Sequence, residues 1–111
     1  MIRVEVVKSS KTGSIKSIEL KGHALFDEYG KDIVCAAVSI LSLNTFNSIE
    51  SFCEDRFESY ESPEKGILRI RFEKPLSDEA ALLMKSLLLG LNGISEEYGN
   101  EFVTIKTRQE V

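Results

Sequence analysis

The chain has 111 residues, of which 42% are hydrophobic and 29% are charged, and its formal net charge is −4. This length predicts a single domain over residues 1–111, and the composition is typical of a globular protein that can bury a core. The acidic balance argues against a nucleic-acid-binding protein, which needs a basic excess to neutralise phosphates. We therefore expect no direct nucleic-acid partner.

The cellular compartment is predicted from the N-terminus and the cysteine count. The first seven residues alternate like a strand and lack the apolar run of a signal peptide. The uninterrupted apolar runs fall short of the roughly 18 residues that a membrane helix needs. Two cysteines are too few for a disulfide framework. These features favour a cytoplasmic protein with no membrane partner.

The first quarter of the chain predicts a β-hairpin. Residues 2–8 and 14–21 have the alternation of strands, and the polar segment 9–13, which ends in glycine, is typical of the turn between them. A polar stretch over residues 22–31 follows.

A first helix is predicted from Asp32, a favoured N-cap residue, to about Cys53, because the run from Ile33 lacks proline and glycine. At about 100° per residue, Cys35 shares a stripe with Ser39, Ser42 and Phe46. The strongest apolar positions lie on the other side, which we expect to face the core: Ile33, Ala37, Ile40 and Leu41.

The second half predicts another hairpin, from strands 57–61 and 67–72, and then a helix from an N-cap at Ser77 to about Tyr98, before Gly99. Residues 102–107 predict a last strand. The order β-β-α-β-β-α-β indicates an α+β fold with both helices packed on a mostly antiparallel sheet. Six leucines of the second helix are expected in the core, although so broad an apolar surface could also serve a dimer contact: Leu82, Leu83, Leu87, Leu88, Leu89 and Leu91.

Cys35 is the residue with the most evident chemical potential. A helix starting at Asp32 would place it in the first turn, where the helix dipole favours the reactive thiolate. The N–H groups of that turn could then serve as an oxyanion hole. Free cysteines are often core residues, however, so a packing role is the alternative.

His23, the single histidine, could act as the general base for this thiol, because a neutral imidazole accepts a proton near pH 7. It lies twelve residues before Cys35, at the end of the second predicted strand. Asp32 could orient His23 or cap the helix. A surface histidine in a loop is the alternative, and the spacing does not decide between them.

The segment between His23 and Cys35 is a candidate substrate loop. Gly22 and Gly30 bracket it and permit hinge motion, while Ala24, Leu25 and Phe26 lie within it. Ser39, one turn after Cys35, is a further candidate substrate contact. An ordinary surface loop is the alternative.

Metal and cofactor sites find no support in the sequence. Cys53 lies about 27 Å from Cys35 along a straight helix, too far for a disulfide. One histidine and two distant cysteines cannot supply the four ligands of a structural zinc site. The chain has neither a C-x-x-C motif nor a phosphate-binding glycine motif. We therefore expect no metal and no cofactor.

The segment GHA at residues 22–24, followed by GKDIVCAAVS at residues 30–39, resembles the signature of the ribosomal-processing cysteine protease family Prp, also called YsxB-like. The resemblance implies that His23 and Cys35 are a catalytic dyad joined by a mobile loop. It also implies a homodimer. The substrate it implies is the N-terminal peptide of the precursor of large-subunit ribosomal protein twenty-seven, removed during ribosome assembly.

One residue departs from the family pattern, because Leu25 stands where members often have glycine, which bears on the flexibility of the loop. Two other functions are kept as alternatives. One is a non-enzymatic ribosome-assembly module in which Cys35 only packs, and the other is a thiol redox sensor.

Overall fold

A computed structural model describes residues 1–22, 29–62 and 64–111, and the side chains of all of these except residues 29–32. Five strands and two helices occur in these ranges, in the predicted order. They are β1 (Ile2–Ser9), β2 (Ile15–Lys21), α1 (Tyr29–Phe52), β3 (Phe57–Ser62), β4 (Ile67–Phe72), α2 (Asp78–Tyr98) and β5 (Val103–Glu110).

The five strands form one sheet in the order β3-β4-β2-β1-β5. The pairs β1–β2, β3–β4 and β2–β4 are antiparallel, and β5 runs parallel to β1 with Ile2 opposite Val103 and Ser9 opposite Glu110. The predicted α+β fold with a mostly antiparallel sheet is confirmed, as are both hairpins.

The core lies between one face of the sheet and the two helices. Alternate strand residues such as Val4, Val6, Ile18 and Ile70 point into it, as expected for strands with one buried face. The helices contribute buried residues from one side each: Val34, Val38, Phe46 and Ile49 from α1, and Ala80, Met84, Leu87 and Leu91 from α2.

Helix α2 begins and ends where the sequence predicts. The Ser77 hydroxyl accepts a hydrogen bond from the Ala80 N–H at 3.1 Å, which makes it the N-cap. Gly99 is the C-cap, with φ 105°, and its N–H donates to the Ser95 carbonyl. The prediction that all six leucines are core was wrong, because Leu82 is 67% and Leu89 is 76% exposed.

Helix α1 begins earlier than predicted. Its first residue is Tyr29, so Asp32 lies within the first turn and is not the N-cap. No proline occurs between Tyr29 and Asp32, and a single glycine at position 30 costs a helix only about 1 kcal/mol. A good N-cap residue type is therefore insufficient to start a helix at its own position.

The buried face of α1 also differs from the prediction. Ile33 and Ile40, expected in the core, are 56% and 68% exposed, whereas Ser42 and Phe46 on the opposite stripe are buried. Helix α1 is apolar around most of its circumference, so periodicity does not identify the side that meets the sheet. The segment Ile33–Phe52 is also long and apolar enough to span a membrane by length and composition, with one third of it buried inside the protein.

Candidate active site

Cys35 lies beside a cavity of about 190 Å³ between α1 and the sheet. The thiol is free and half-buried. One wall of the cavity is α1, and the opposite walls come from the β1–β2 hairpin and from the β3–β4 hairpin. The lining residues are Cys35, Val38, Ser39, Ser42 and Leu43 on α1, Ile2, Leu20 and Gly22 on the first hairpin, and Glu61, Ser62, Gly66, Ile67 and Leu68 on the second.

Gly22 is held in place at the edge of this cavity. Its N–H donates a hydrogen bond of 2.9 Å to the Gly66 carbonyl, which ties the end of β2 to the β3–β4 turn. Its φ of +108° lies in a region that L side chains rarely adopt, and a Cβ atom there would be 2.2 Å from the Met1 carbonyl oxygen. Only glycine fits this position, and it fixes the backbone immediately before His23.

Several predicted site residues lie outside the described residues. They are His23, Ala24, Leu25 and Phe26, so the structure does not test the distance from the His23 imidazole to the Cys35 sulfur. Gly30 and Asp32 lie in the first turn of α1. Of the predicted site residues, Gly22, Cys35 and Ser39 meet at one cavity.

The predicted activation of Cys35 by the start of the helix needs correction. Cys35 is the seventh residue of α1, so it lies in the second turn and its own N–H falls inside the helical hydrogen-bond ladder. The dipole effect is concentrated in the first turn. The N–H groups that lack helical partners lie about one turn before Cys35, so the helix start alone does not form an oxyanion hole around the sulfur.

Cys53, the second cysteine, lies just beyond the other end of α1. Burial raises the pKa of the Cys53 thiol, and the nearby carboxylates of Asp55 and Glu79 raise it further. A raised pKa keeps the thiol protonated at neutral pH and disfavours nucleophilic attack. This environment makes Cys53 a poor nucleophile.

Sequence analysis placed Ser42 on the stripe of Cys35, but it gave no indication that residues of the β3–β4 hairpin, such as Glu61 and Gly66, line the same cavity. They reach the cavity because β4 pairs with β2, which brings the β3–β4 hairpin next to α1. That pairing joins segments about fifty residues apart, and no local pattern indicates it. The turn residue Gly66 was recognisable as a turn, but its position beside Gly22 was not.

A free thiol beside a cavity, with a histidine directly after one of the lining residues in sequence, is an arrangement that a cysteine peptidase can use. Comparison with known proteins gives the same class. The family model described as "Cysteine protease Prp" matches residues 1–103. The chain therefore belongs to the Prp family of cysteine proteases.

Individual relatives agree in sequence and in fold. The ribosomal processing cysteine protease Prp of Staphylococcus aureus is 33% identical over 98 residues, which cover 88% of this chain and 92% of that protein. A crystal structure of the S. aureus protease with a covalently linked product peptide matches with a TM-score of 0.87 and 31% identity, covering 97% of this chain and all of that one. The crystal structure of SMU.848 from Streptococcus mutans matches with a TM-score of 0.86 and 33% identity, covering 99% of this chain and 96% of that one.

Membership of this family makes the protein an enzyme that hydrolyses peptide bonds through a cysteine. It confirms the predicted family and enzyme class, and it sets aside the non-enzymatic module and the redox sensor.

Proposed function

We propose that His23 and Cys35 form the catalytic dyad of an endopeptidase that removes the N-terminal extension of large-subunit ribosomal protein twenty-seven during ribosome assembly. The observation that carries the proposal is the position of Cys35 at the cavity, next to the constrained Gly22 that precedes His23. The S. aureus relative is named a ribosomal processing protease and has been crystallised with a substrate peptide, which supports the same substrate class here.

The proposed reaction has two stages. His23 accepts the proton of the Cys35 thiol, and the thiolate attacks the scissile carbonyl to form a tetrahedral intermediate. His23 then protonates the leaving amine as the C–N bond breaks, which leaves a thioester on Cys35. A water molecule, deprotonated by His23, attacks the thioester, releases the N-terminal peptide as a carboxylic acid and restores the thiol.

The deciding experiment incubates the protein with the ribosomal precursor and measures product masses. We expect one cleavage near the precursor N-terminus. Cys35→Ala should reduce cleavage to background, and His23→Ala should lower it about 10²- to 10⁴-fold, the usual contribution of a general acid–base. Cys53→Ala is the matched control and should cleave normally. Normal processing by Cys35→Ala would contradict the proposal.

We also propose a homodimer, formed through an apolar helical surface on the outer sides of α1 and α2. This surface comprises Ile33, Ile40, Leu43 and Phe52 of α1 and Leu82 and Leu89 of α2, all at least 45% exposed. Exposed apolar residues on the surface of a folded protein mark association sites when they cluster. Sedimentation velocity should give a dimer for the wild type and a monomer for Leu89→Glu. Arg71→Glu, an exposed change on β4, should remain dimeric, whereas a wild-type monomer would exclude the dimer.

The place of action that we propose is the cytoplasm, where ribosomal precursors are made. Helix α1 is the one described segment with the length and composition of a membrane span, but its Val34, Val38 and Ile49 side chains are buried against the rest of the fold. Cell fractionation should recover the protein in the soluble fraction. Recovery in the membrane pellet after a high-salt wash would contradict this location.

A further inference from the structure

The face of the sheet that points away from the helices is rich in charge. Its side chains alternate along each strand with the buried core residues. Seven of the described side chains on this outer face are basic and four are acidic, which gives it a net charge of +3 in a chain of net charge −4. They are Arg3, Lys16, Lys21, Arg69, Arg71, Lys106 and Arg108, and Glu5, Glu19, Glu58 and Glu110.

Two glutamates at the centre of the outer face are each paired with an arginine. Glu5 on β1 lies directly opposite Glu19 on β2, and like charges in that arrangement repel. Arg108 of β5 relieves one side, with its Nε 3.2 Å from the Glu5 carboxylate. Arg69 of β4 relieves the other, with its Nε 2.7 Å from the Glu19 carboxylate. The fold therefore compensates this pair of like charges with cations of its own.

The neighbouring pair of cations has no such compensation within the described part of the chain. Arg3 lies directly opposite Lys21, two residues along the same strands from the glutamates, and both side chains are exposed. The residues beside them in the same row are Thr104 on β5 and Ile67 on β4, and neither has a charge. Neither cation forms an ion pair with a described residue. The fold thus keeps a repulsion that a bound anion would remove.

The other residues of the outer face favour a nucleic-acid strand over an acidic protein as the source of that anion. The centre of a protein interface needs exposed apolar side chains, and Tyr60 is the one exposed large hydrophobic residue in the described strands. The Arg69 guanidinium lies 5.3 Å from the centroid of the Tyr60 ring. Aromatic rings and guanidinium planes stack on unpaired bases, while separate cations such as Arg71 and Lys106 suit phosphates.

We propose that the outer face of the sheet binds single-stranded RNA, with Arg3 and Lys21 on the phosphate backbone and Tyr60 stacked on a base. The inference goes beyond the proposed function, which supplies only the choice of RNA, the nucleic acid present where ribosomal precursors are processed. The acidic total charge, from which no nucleic-acid partner was expected, averages over two sides of the molecule with opposite charge.

Fluorescence anisotropy with a labelled oligouridylate of about twelve nucleotides measures this binding. For single strands, log K falls with log salt by about 0.7 for each phosphate that is neutralised. We expect Arg3→Ala/Lys21→Ala to make that slope shallower by about 1.4 and to weaken binding more than about tenfold at 0.1 M salt. Lys85→Ala, which removes an exposed cation from α2 on the other side of the molecule, is the matched control and should bind like the wild type.

The Tyr60 ring is tested separately from the cations. Tyr60→Ala should weaken binding at least about fivefold, because a base would lose its stacking partner, and it should leave the salt slope unchanged. No binding of oligouridylate by the wild type at 0.1 M salt would overturn the inference. Equally tight binding of a polyglutamate peptide of matched charge would also overturn it, since an acidic protein would then fit the face as well.

Thermal unfolding separates binding from a structural role of the cation pair. Because Arg3 and Lys21 repel each other, Lys21→Glu should have a higher Tm than Lys21→Gln at low salt, and the difference should shrink at 1 M salt. Lys21→Glu should also bind oligouridylate more weakly than Lys21→Gln. Equal Tm values at low salt would mean that the Arg3 charge is already neutralised in the free protein, and this result would count against the inference.

RNA binding and proteolysis can be measured independently. Arg3 and Lys21 point away from the cavity beside Cys35, so Arg3→Ala/Lys21→Ala should cleave a short peptide substrate at the wild-type rate. A wild-type protein that binds oligouridylate and cleaves no precursor would contradict the proposed function and support the RNA-binding face. Cleavage of the precursor by a protein that does not bind oligouridylate would do the opposite.

Discussion

The two ends of α1 each present a half-buried free cysteine, but in opposite chemical settings. At one end Cys35 borders a cavity whose lining residues come from three parts of the chain. At the other end Cys53 lies among carboxylates, next to a loop that is fixed by hydrogen bonds. Asp55 accepts bonds from the Ser77 hydroxyl at 2.5 Å and from the Ser77 N–H at 2.8 Å.

The difference shows that a cysteine's surroundings, more than its exposure, decide whether it can act as a nucleophile. Near Cys53, burial and negative charge both favour the protonated thiol. The hydrogen bonds of Asp55 serve the fold there, because the same Ser77 hydroxyl caps α2. One end of the helix therefore places a free thiol beside a cavity, and the other end is held by hydrogen bonds that stabilise the fold.

The largest effect is expected from Gly22→Ala at the cavity end. The new Cβ would clash with the Met1 carbonyl, and a positive φ at a non-glycine residue costs about 1–3 kcal/mol. We expect Tm to fall by roughly 10 °C and precursor cleavage to drop with it, because the backbone before His23 must shift. Calorimetry and the cleavage assay measure both.

Gly93→Ala is the control for this change. Gly93 lies in α2, and a Cβ there would meet nothing within 4 Å. Alanine should stabilise that helix by about 0.5–1 kcal/mol and leave cleavage unchanged. Equal Tm values for Gly22→Ala and the wild type would contradict the conclusion that only glycine fits at position 22.

A smaller effect separates the two thiols directly. At pH 7 we expect iodoacetamide to modify Cys35 faster than Cys53, since the raised pKa of Cys53 lowers the fraction of that thiol present as the reactive thiolate. The raised pKa of Cys53 lies above its ordinary 9.0, so its rate should keep rising through alkaline pH and the difference should narrow. Peptide mass mapping of labelled protein gives both rates. Faster labelling of Cys53 than of Cys35 at pH 7 would contradict the conclusion that Cys53 is the poorer nucleophile.

The smallest effect is expected on the free energy of unfolding, from a change of Asp55 near the Cys53 end of α1. Burial alone would raise the pKa of Asp55, but the hydrogen bonds from Ser77 outweigh it and lower the pKa below the ordinary 3.8. The contribution of Asp55 to the free energy of unfolding is therefore complete above that value and is lost as pH falls through the lowered pKa. Asp55→Asn should cost about 1 kcal/mol at pH 7.

The contribution of Asp55 is tested by urea unfolding of the wild type and Asp55→Asn at pH 7 and at acidic pH. Asp78→Asn, a change of a nearby carboxylate, is the control. The stabilities of Asp55→Asn and the wild type should converge as pH falls below the lowered pKa. A constant difference over the whole range would mean that the Asp55 charge is not the stabilising feature.

Local signals in the sequence predicted local structure well. The Ser77 cap and the Gly99 stop defined α2 to within a residue, because each acts through hydrogen bonds inside its own turn. Strand β4 was predicted with its observed ends, since Gly66 and the residues after Phe72 interrupt it on both sides.

Tertiary features were predicted less well. The Asp32 cap was wrong because a capping residue type also fits inside a first turn, and the buried side of α1 was wrong because Ile33 and Ile40 are as apolar as Val34 and Val38. Sequence alone predicted Cys35 as the nucleophile, first from its place near the start of a predicted helix and then from the family pattern. It placed Ser42 on the same stripe as Cys35, but it could not predict that Ser42 is buried, because that depends on how α1 packs against the sheet.

The parallel pairing of β1 with β5 has a consequence for biosynthesis. Strand β1 lies between β2 and β5, so one of its two neighbours is synthesised about a hundred residues after it. Contacts between the beginning and the end of a chain form late and slow its folding. While the chain is still being made, the wall that Ile2 contributes lacks support on one side. The cavity wall that includes Ile2 is therefore fully supported only after β5 has been synthesised and has paired with β1.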